Sequence, residues 1–139
     1  LDGRVAGEAT LRYEIDEAAR ILWLDLVSAG SADKVLTATV NLITGRPELC
    51  SWDWIVECEP MPDDATIQHL SKLAEAWGPP PSDEAVTVFV THDSLLYLWA
   101  RVLDFQFVRR KHLIEQDVEA ARRLVERRRT ARATKMNGK

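Results

Sequence analysis

The chain has 139 residues, enough for one domain with an adequate core and too few for two domains that each close their own. Hydrophobic residues make up 46% and charged residues 29%, the balance of a globular protein, which excludes a disordered or fibrous chain. No apolar run approaches the roughly 20 residues needed to span a bilayer. The net charge of −4 is unevenly placed: residues 122–139 hold eight bases and one acid, a balance of +7, leaving −11 on residues 1–121. Such a dipolar object favours charge-guided contacts without naming a partner.

Residues 1–9 show no useful periodicity and are expected to fray; they lack the charged start and apolar stretch of a secretory signal, so a cytoplasmic location is expected. LRYEI (11–15) alternates and reads as a short strand. After the turn DEAAR, ILWLDLV (21–27) reads as a second, with Leu22, Leu24 and Leu26 on one face and Ile21, Trp23, Asp25 and Val27 on the other. A five-residue turn between two strands predicts an antiparallel hairpin. Ser31 is the expected cap of a helix whose buried stripe is Val35, Leu36, Thr39, Leu42 and Ile43, ended by Gly45 and Pro47. WDWIVE (52–57) follows as a strand that turns Trp52, Trp54 and Val56 one way and Asp53, Ile55 and Glu57 the other.

CEPMPDD (58–64) is a loop, with Asp63 or Asp64 expected to cap the next helix. That helix should bury Ile67, Leu70, Leu73, Ala74 and Trp77, and Gly78 followed by three prolines stops it. AVTVFV (85–90) is a strand, THDS (91–94) a turn and LLYLWARVLDF (95–105) a helix. RRKHLI (109–114), EQD (115–117) and VEAARRLVERRR (118–129) repeat the same strand, turn and helix. Cys50 and Cys58 would stand roughly 26 Å apart if extended at about 3.3 Å per residue. A disulfide needs less than about 7 Å, so both are expected to be free thiols.

These elements predict a single α/β domain over 10–129, with about five strands and four helices, and a flexible basic tail over 130–139. The sheet is mixed, since crossover helices make the later strands parallel while the first strand is antiparallel. The order resembles the STAS (sulfate-transporter and anti-sigma-factor-antagonist) superfamily, particularly its SpoIIAA-like branch. The likeness rests on YEIDEAARILWLDL, DWIVE before a capped helix, AVTVFVTHDSLLYLWARVL and LIEQDVEAARRLV, and covers roughly residues 10–127. It implies a regulatory, protein-interaction role. Family members that antagonise anti-sigma factors carry a phosphorylatable serine in the loop after the third strand; the matching ECEPMPDDATIQ offers only Thr66. Asp63 and Asp64 beside it would oppose a phosphate by like-charge repulsion.

No catalytic motif rises above background. His92, Asp93 and Ser94 look like triad ingredients, but adjacent side chains diverge, and Thr91 or Asp93 capping a helix explains them better. The turn lies at the C-terminal end of a parallel strand, where α/β sheets place ligands, so it is the first place expected for a phosphate or small molecule. Cys58 and His69 are too few ligands for a zinc site. His112, among basic residues, is expected at a solvent-facing edge. The arginine-rich end is better explained as a solvated helix terminus than as a nucleic-acid grip, because the body is acidic.

The expectation is therefore a non-enzymatic regulatory or protein-interaction domain, without cofactor or metal, whose partner is another protein or a second copy. The candidate contacts are Asp63, Asp64, Thr66 and Thr91–Ser94. The alternative is a carrier or sensor of an apolar, lipid-like molecule in a tryptophan-lined pocket that includes Trp52 and Trp54.

Overall fold

The hairpin expected near the N-terminus forms because alternating apolar side chains on both strands meet across a turn that Asp16 closes, accepting from the Ala19 amide at 3.0 Å. Its strands are β1 (Arg12–Asp16) and β2 (Ile21–Asp25), antiparallel, with Ile15 opposite Leu22. The computed structural model describes residues 12–26, 31–58, 64–77, 85–107 and 110–137, with residues 135–137 by backbone alone. The expected frayed segment 1–9 lies outside the described residues.

From β2 the chain runs through α1 (Ala32–Gly45), a short 3-10 helix (Pro47–Ser51) that the sequence pattern did not announce, and β3 (Asp53–Glu57). It continues through α2 (Ile67–Trp77), β4 (Ala85–Val90), α3 (Leu95–Gln106), β5 (Arg110–Glu115) and α4 (Val118–Asn137). The result is an α/β domain with one five-stranded mixed sheet in the order β1-β2-β3-β4-β5, antiparallel at β1-β2 and parallel thereafter. Right-handed crossovers that all step in one direction put α1, α2 and α3 on one face. There Leu22, Leu24, Trp54, Val56 and Phe89 of the strands meet Ala38, Ile43, Leu70, Leu96 and Leu103 of the helices.

On the other face Ala121 and Val125 of α4 cover Ile21, Ile55, Val86, Val88 and Val90. Being covered on both sides, β4 is buried at all six positions, which is why it reads as an unbroken apolar run. Leu22 and Leu24 are 0% and 3% exposed, and each contributes about 1.5–3 kcal/mol of burial before chain entropy is charged.

Arg129 fastens α4 to the sheet. Its Nε donates to Asp53 Oδ2 at 2.8 Å, and its Nη atoms donate to the carbonyls of Ala19 and Arg20. Asp53 is buried, and its other oxygen accepts from the Val86 amide at 2.8 Å. One residue of the arginine-rich end is therefore a structural clamp. The end itself is helical through Asn137, so the boundary expected at 129 moves outward for residues 130–137. Arg–Glu spacing such as Glu119 with Arg123 helps the helix continue.

Two packing expectations change. Ile67, placed in the buried stripe of α2, is 50% exposed because the stripe begins one turn later at Leu70. Asp64 does not cap α2; its Oδ1 accepts from the Ala32 amide at 3.0 Å and serves the start of α1. Ser31 caps α1 as expected, accepting from the Lys34 amide.

Candidate functional site

At the turn after β4, Thr91 is buried and its Oγ1 accepts from the Asp93 amide at 3.0 Å. Asp93 Oδ1 in turn accepts from the Leu95 amide at 3.0 Å, the capping role expected from sequence. His92 and Ser94 are exposed beside them. A shallow cavity of about 470 Å³ opens between this turn and the β5–α4 turn, reaching Thr91, His92, Ser94, Tyr97, Glu115 and Asp117. Asp117 stands immediately before α4 and caps it, accepting from the Ala120 amide. Both helix starts are thus already capped by carboxylates, and the lining is acidic, which disfavours the phosphate contact expected there. The described strands also run in one continuous order, so the crevice that a reversal of strand order creates does not form.

The second expected cluster lies where α1 and α2 begin. Thr66 Oγ1 stands 2.9 Å from His69 Nδ1, and His69 Nε2 stands 2.8 Å from Asp33 Oδ1. A hydroxyl, an imidazole and a carboxylate in sequence suggest a relay, but the backbone explains the geometry. The Thr66 amide donates to His69 Nδ1 at 3.1 Å and the His69 amide reaches Thr66 Oγ1 at 3.4 Å. This is a capping box with histidine in the usual glutamate position. Asp33 and Asp64 tie the starts of α1 and α2 together, and Asp33 is largely in solvent. Asp63 lies outside the described residues. The cluster is a joint between two helix termini, with Thr66 exposed on it.

The third is the tryptophan face of β3. Trp54 packs on Trp77 of α2 with ring centroids 4.7 Å apart, and Trp77 meets Phe107 edge-on at 5.1 Å. Around them the helices stand off the sheet and leave a chamber of about 130 Å³. Its floor is Leu24, Trp54, Val56, Thr87, Phe89, Arg110 and His112; its roof is Val35, Thr39, Leu70, Leu73, Trp77, Leu103 and Phe107. Trp52 is buried at the start of β3, under the Arg46 guanidinium, and does not line the chamber.

Arg110 and His112 are the residues that sequence reading missed. Arg110 is 5% exposed, and its guanidinium lies 5.7 Å from the Trp54 ring and 5.2 Å from the Trp77 ring. It donates to Thr87 Oγ1 at 2.7 Å, to the Cys50 carbonyl at 3.1 Å and to the Trp52 carbonyl. Burial pushes this guanidinium down to about 10, against the pull of Asp53. His112, expected in solvent, is 3% exposed. Its Nδ1 lies 2.9 Å from Asp104 Oδ1, which also accepts from the His112 amide, and its ring stacks on Phe89. Burial holds the imidazole down at about 4, outweighing the hydrogen bond to Asp104, so it is neutral at pH 7.

The alternation of β5 carried a usable signal: Arg110, His112 and Ile114 share one face, Lys111, Leu113 and Glu115 the other. Each face holds one aliphatic residue, so the pattern alone could not say which was inward. Neither Cys50 nor Cys58 is in a disulfide, and burial pushes the Cys50 thiol up to about 11, far from a reactive thiolate. Among the described residues no group of three or more His, Cys, Asp or Glu is placed to hold a metal ion, and no helix is long and apolar enough to cross a membrane. Comparison with protein-family models, curated proteins and solved structures gave no match.

Proposed function

We propose that this chain is a non-enzymatic regulatory or protein-interaction domain of the STAS, SpoIIAA-like kind, and that its partner docks on the outer face of α3. The observation that carries this reading is a stripe of large apolar side chains in solvent. Leu95 is 59%, Leu98 67% and Phe105 87% exposed, with Tyr97 beside them at 59%. Spacings of three and seven residues keep Leu95, Leu98 and Phe105 on one side of the helix. The inner side is already filled by Leu96, Ala100 and Leu103. Single exposed apolar residues are ordinary, whereas a contiguous stripe marks an interaction surface. It begins just after the Thr91–Ser94 turn, one of the contact positions expected from the sequence.

A second copy is the first partner to test, because one apolar stripe is self-complementary across a twofold axis. Sedimentation equilibrium should show wild-type self-association that Leu98→Glu with Phe105→Ser removes. A wild-type chain that stays monomeric at every concentration rules out the second copy. A partner of different sequence is then sought by photo-crosslinking from position 98. Equal labelling from the exposed position 127 on α4 would refute the α3 face.

A second reading is favoured by the chamber: a carrier or sensor of an apolar small molecule. A cavity of this size holds roughly one benzene ring, so the ligand is a single ring or short branched chain and not a long acyl chain. Native mass spectrometry of freshly purified protein and tryptophan fluorescence test it. No bound mass, and no response to small apolar molecules, would leave the chamber an unfilled packing space.

A further inference from the structure

We infer that a second copy seats its α3 antiparallel on this one with Leu98 at the twofold axis, and that the cavity beside the Thr91–Ser94 turn receives the partner's Phe105 and Arg101. The inference rests on the α3 docking reading above and deepens it by giving that face a register and its cavity an occupant. Tyr97 is exposed on the same helix as Phe105 and also lines the cavity, so the apolar stripe and the cavity are continuous. A twofold axis makes contacts reciprocal, so a group that projects from one copy needs a recess at the matching place on the other.

The spacing along α3 supplies that match. Phe105 stands roughly 10 Å to the C-terminal side of Leu98 at about 1.5 Å per residue. Ser94 stands roughly 6 Å to its N-terminal side, and the cavity continues from there to Thr91 and His92. Helical side chains lean toward the N-terminus, which swings the partner's Phe105 from level with Thr91 back to the mouth between Thr91 and Ser94. The cavity holds about 470 Å³. One benzene ring needs roughly 150 Å³, so the phenyl ring and a guanidinium fit together.

Charge agrees with this register. Arg101 is exposed one turn before Phe105, with Nη2 bonded to Asp104 at 3.0 Å and to the His112 carbonyl at 2.7 Å. In the dimer its remaining donors meet Glu115 and Asp117 at the other copy's cavity, an acidic recess that attracts this cation. An axis between Arg101 and Val102 would instead set the two Arg101 guanidiniums against each other and leave both cavities empty.

Oxidative cross-linking of the full chain tests the register, with wild type as the control for Cys50 and Cys58. Leu98→Cys should link to itself across the axis. Phe105→Cys should not, because its two copies stand roughly 21 Å apart along the helices and a disulfide needs less than about 7 Å. Phe105→Cys chains mixed with His92→Cys chains should give the mixed disulfide. Ala120→Phe fills the cavity from α4, away from the stripe, and should raise the dimer Kd by roughly tenfold or more in sedimentation equilibrium. Self-linking of Phe105→Cys in preference to Leu98→Cys, or an unchanged Kd in a folded Ala120→Phe, would overturn the register and the cavity's role while leaving the α3 face. A monomeric wild type overturns the inference and leaves that face to a partner of different sequence. A dimer that survives Leu98→Glu with Phe105→Ser overturns the α3 reading as well. The cross-links are read at exposed positions, so poor folding of Ala120→Phe does not blunt the outcome.

Discussion

Acidification should destabilise this domain through His112, and by a predictable amount. The imidazole is 3% exposed, and burial, helped by Arg110 and Arg101 and opposed by Asp104, lowers it from 6.5 to about 4. In the unfolded chain His112 takes up its proton as pH falls through 6.5, whereas the folded chain resists until about 4. Between those values the unfolded state binds more protons, so stability is full above 6.5, falls with pH, and levels off below about 4. At about 1.4 kcal/mol per unit, the loss attributable to His112 is about 3 kcal/mol. Urea unfolding of wild type and His112→Gln at half-unit steps from pH 7.5 to 4 isolates this contribution, because the other titrating groups are common to both. The wild-type curve should fall more steeply across that window. Parallel curves, or an imidazole that titrates near 6.5 by NMR in the folded protein, would refute the reasoning.

Arg129→Met should cost roughly 2–4 kcal/mol, because it strands buried Asp53 and two carbonyls of the β1–β2 turn. Arg129→Lys should recover only part of that loss in urea midpoint, and a loss below about 0.5 kcal/mol for the Met variant would mean that the clamp is idle. Leu96→Ala should cost about 2–5 kcal/mol by opening a cavity at a fully buried position. Leu98→Ala, two residues on and 67% exposed, should stay within about 0.5 kcal/mol in the same thermal or urea unfolding series.

Most of the fold was legible because its signals are local and periodic. Period-two alternation placed Leu22 and Leu24 opposite Ile21, and Trp54 and Val56 opposite Ile55, and each set packs into its own core. Ser31 marked the start of α1 by its side-chain cap, and Gly45 with Pro47 marked its end, since glycine disfavours a helix and proline cannot continue one. Where several elements compete for one side chain, local reading failed. Asp64 was a sound cap for α2 by position, but the start of α1 lies close enough to take its oxygen instead. His69 stood in the sequence only as an insufficient metal partner for Cys58, yet it closes a capping box with Thr66 and meets Asp33 from another helix.

The candidate site was less legible than the fold, for the same reason. Trp54 announced an apolar surface, but Trp77, Arg110 and His112 reach it from two other elements separated by long stretches of chain. A basic residue among basic neighbours reads as solvated, since burying its charge is costly unless partners exist, and partners are a property of the assembled fold. The amino-acid sequence by itself determined the element order, the two faces of each strand and the parallel run that follows the hairpin, all set by side-chain period and turn chemistry. Only the tertiary structure decided that β5 turns Arg110 and His112 inward and, among the described residues, that α4 covers the second face and the outer side of α3 stays bare. Those outcomes depend on which surfaces meet once the helices have packed, and no single segment of chain carries that information.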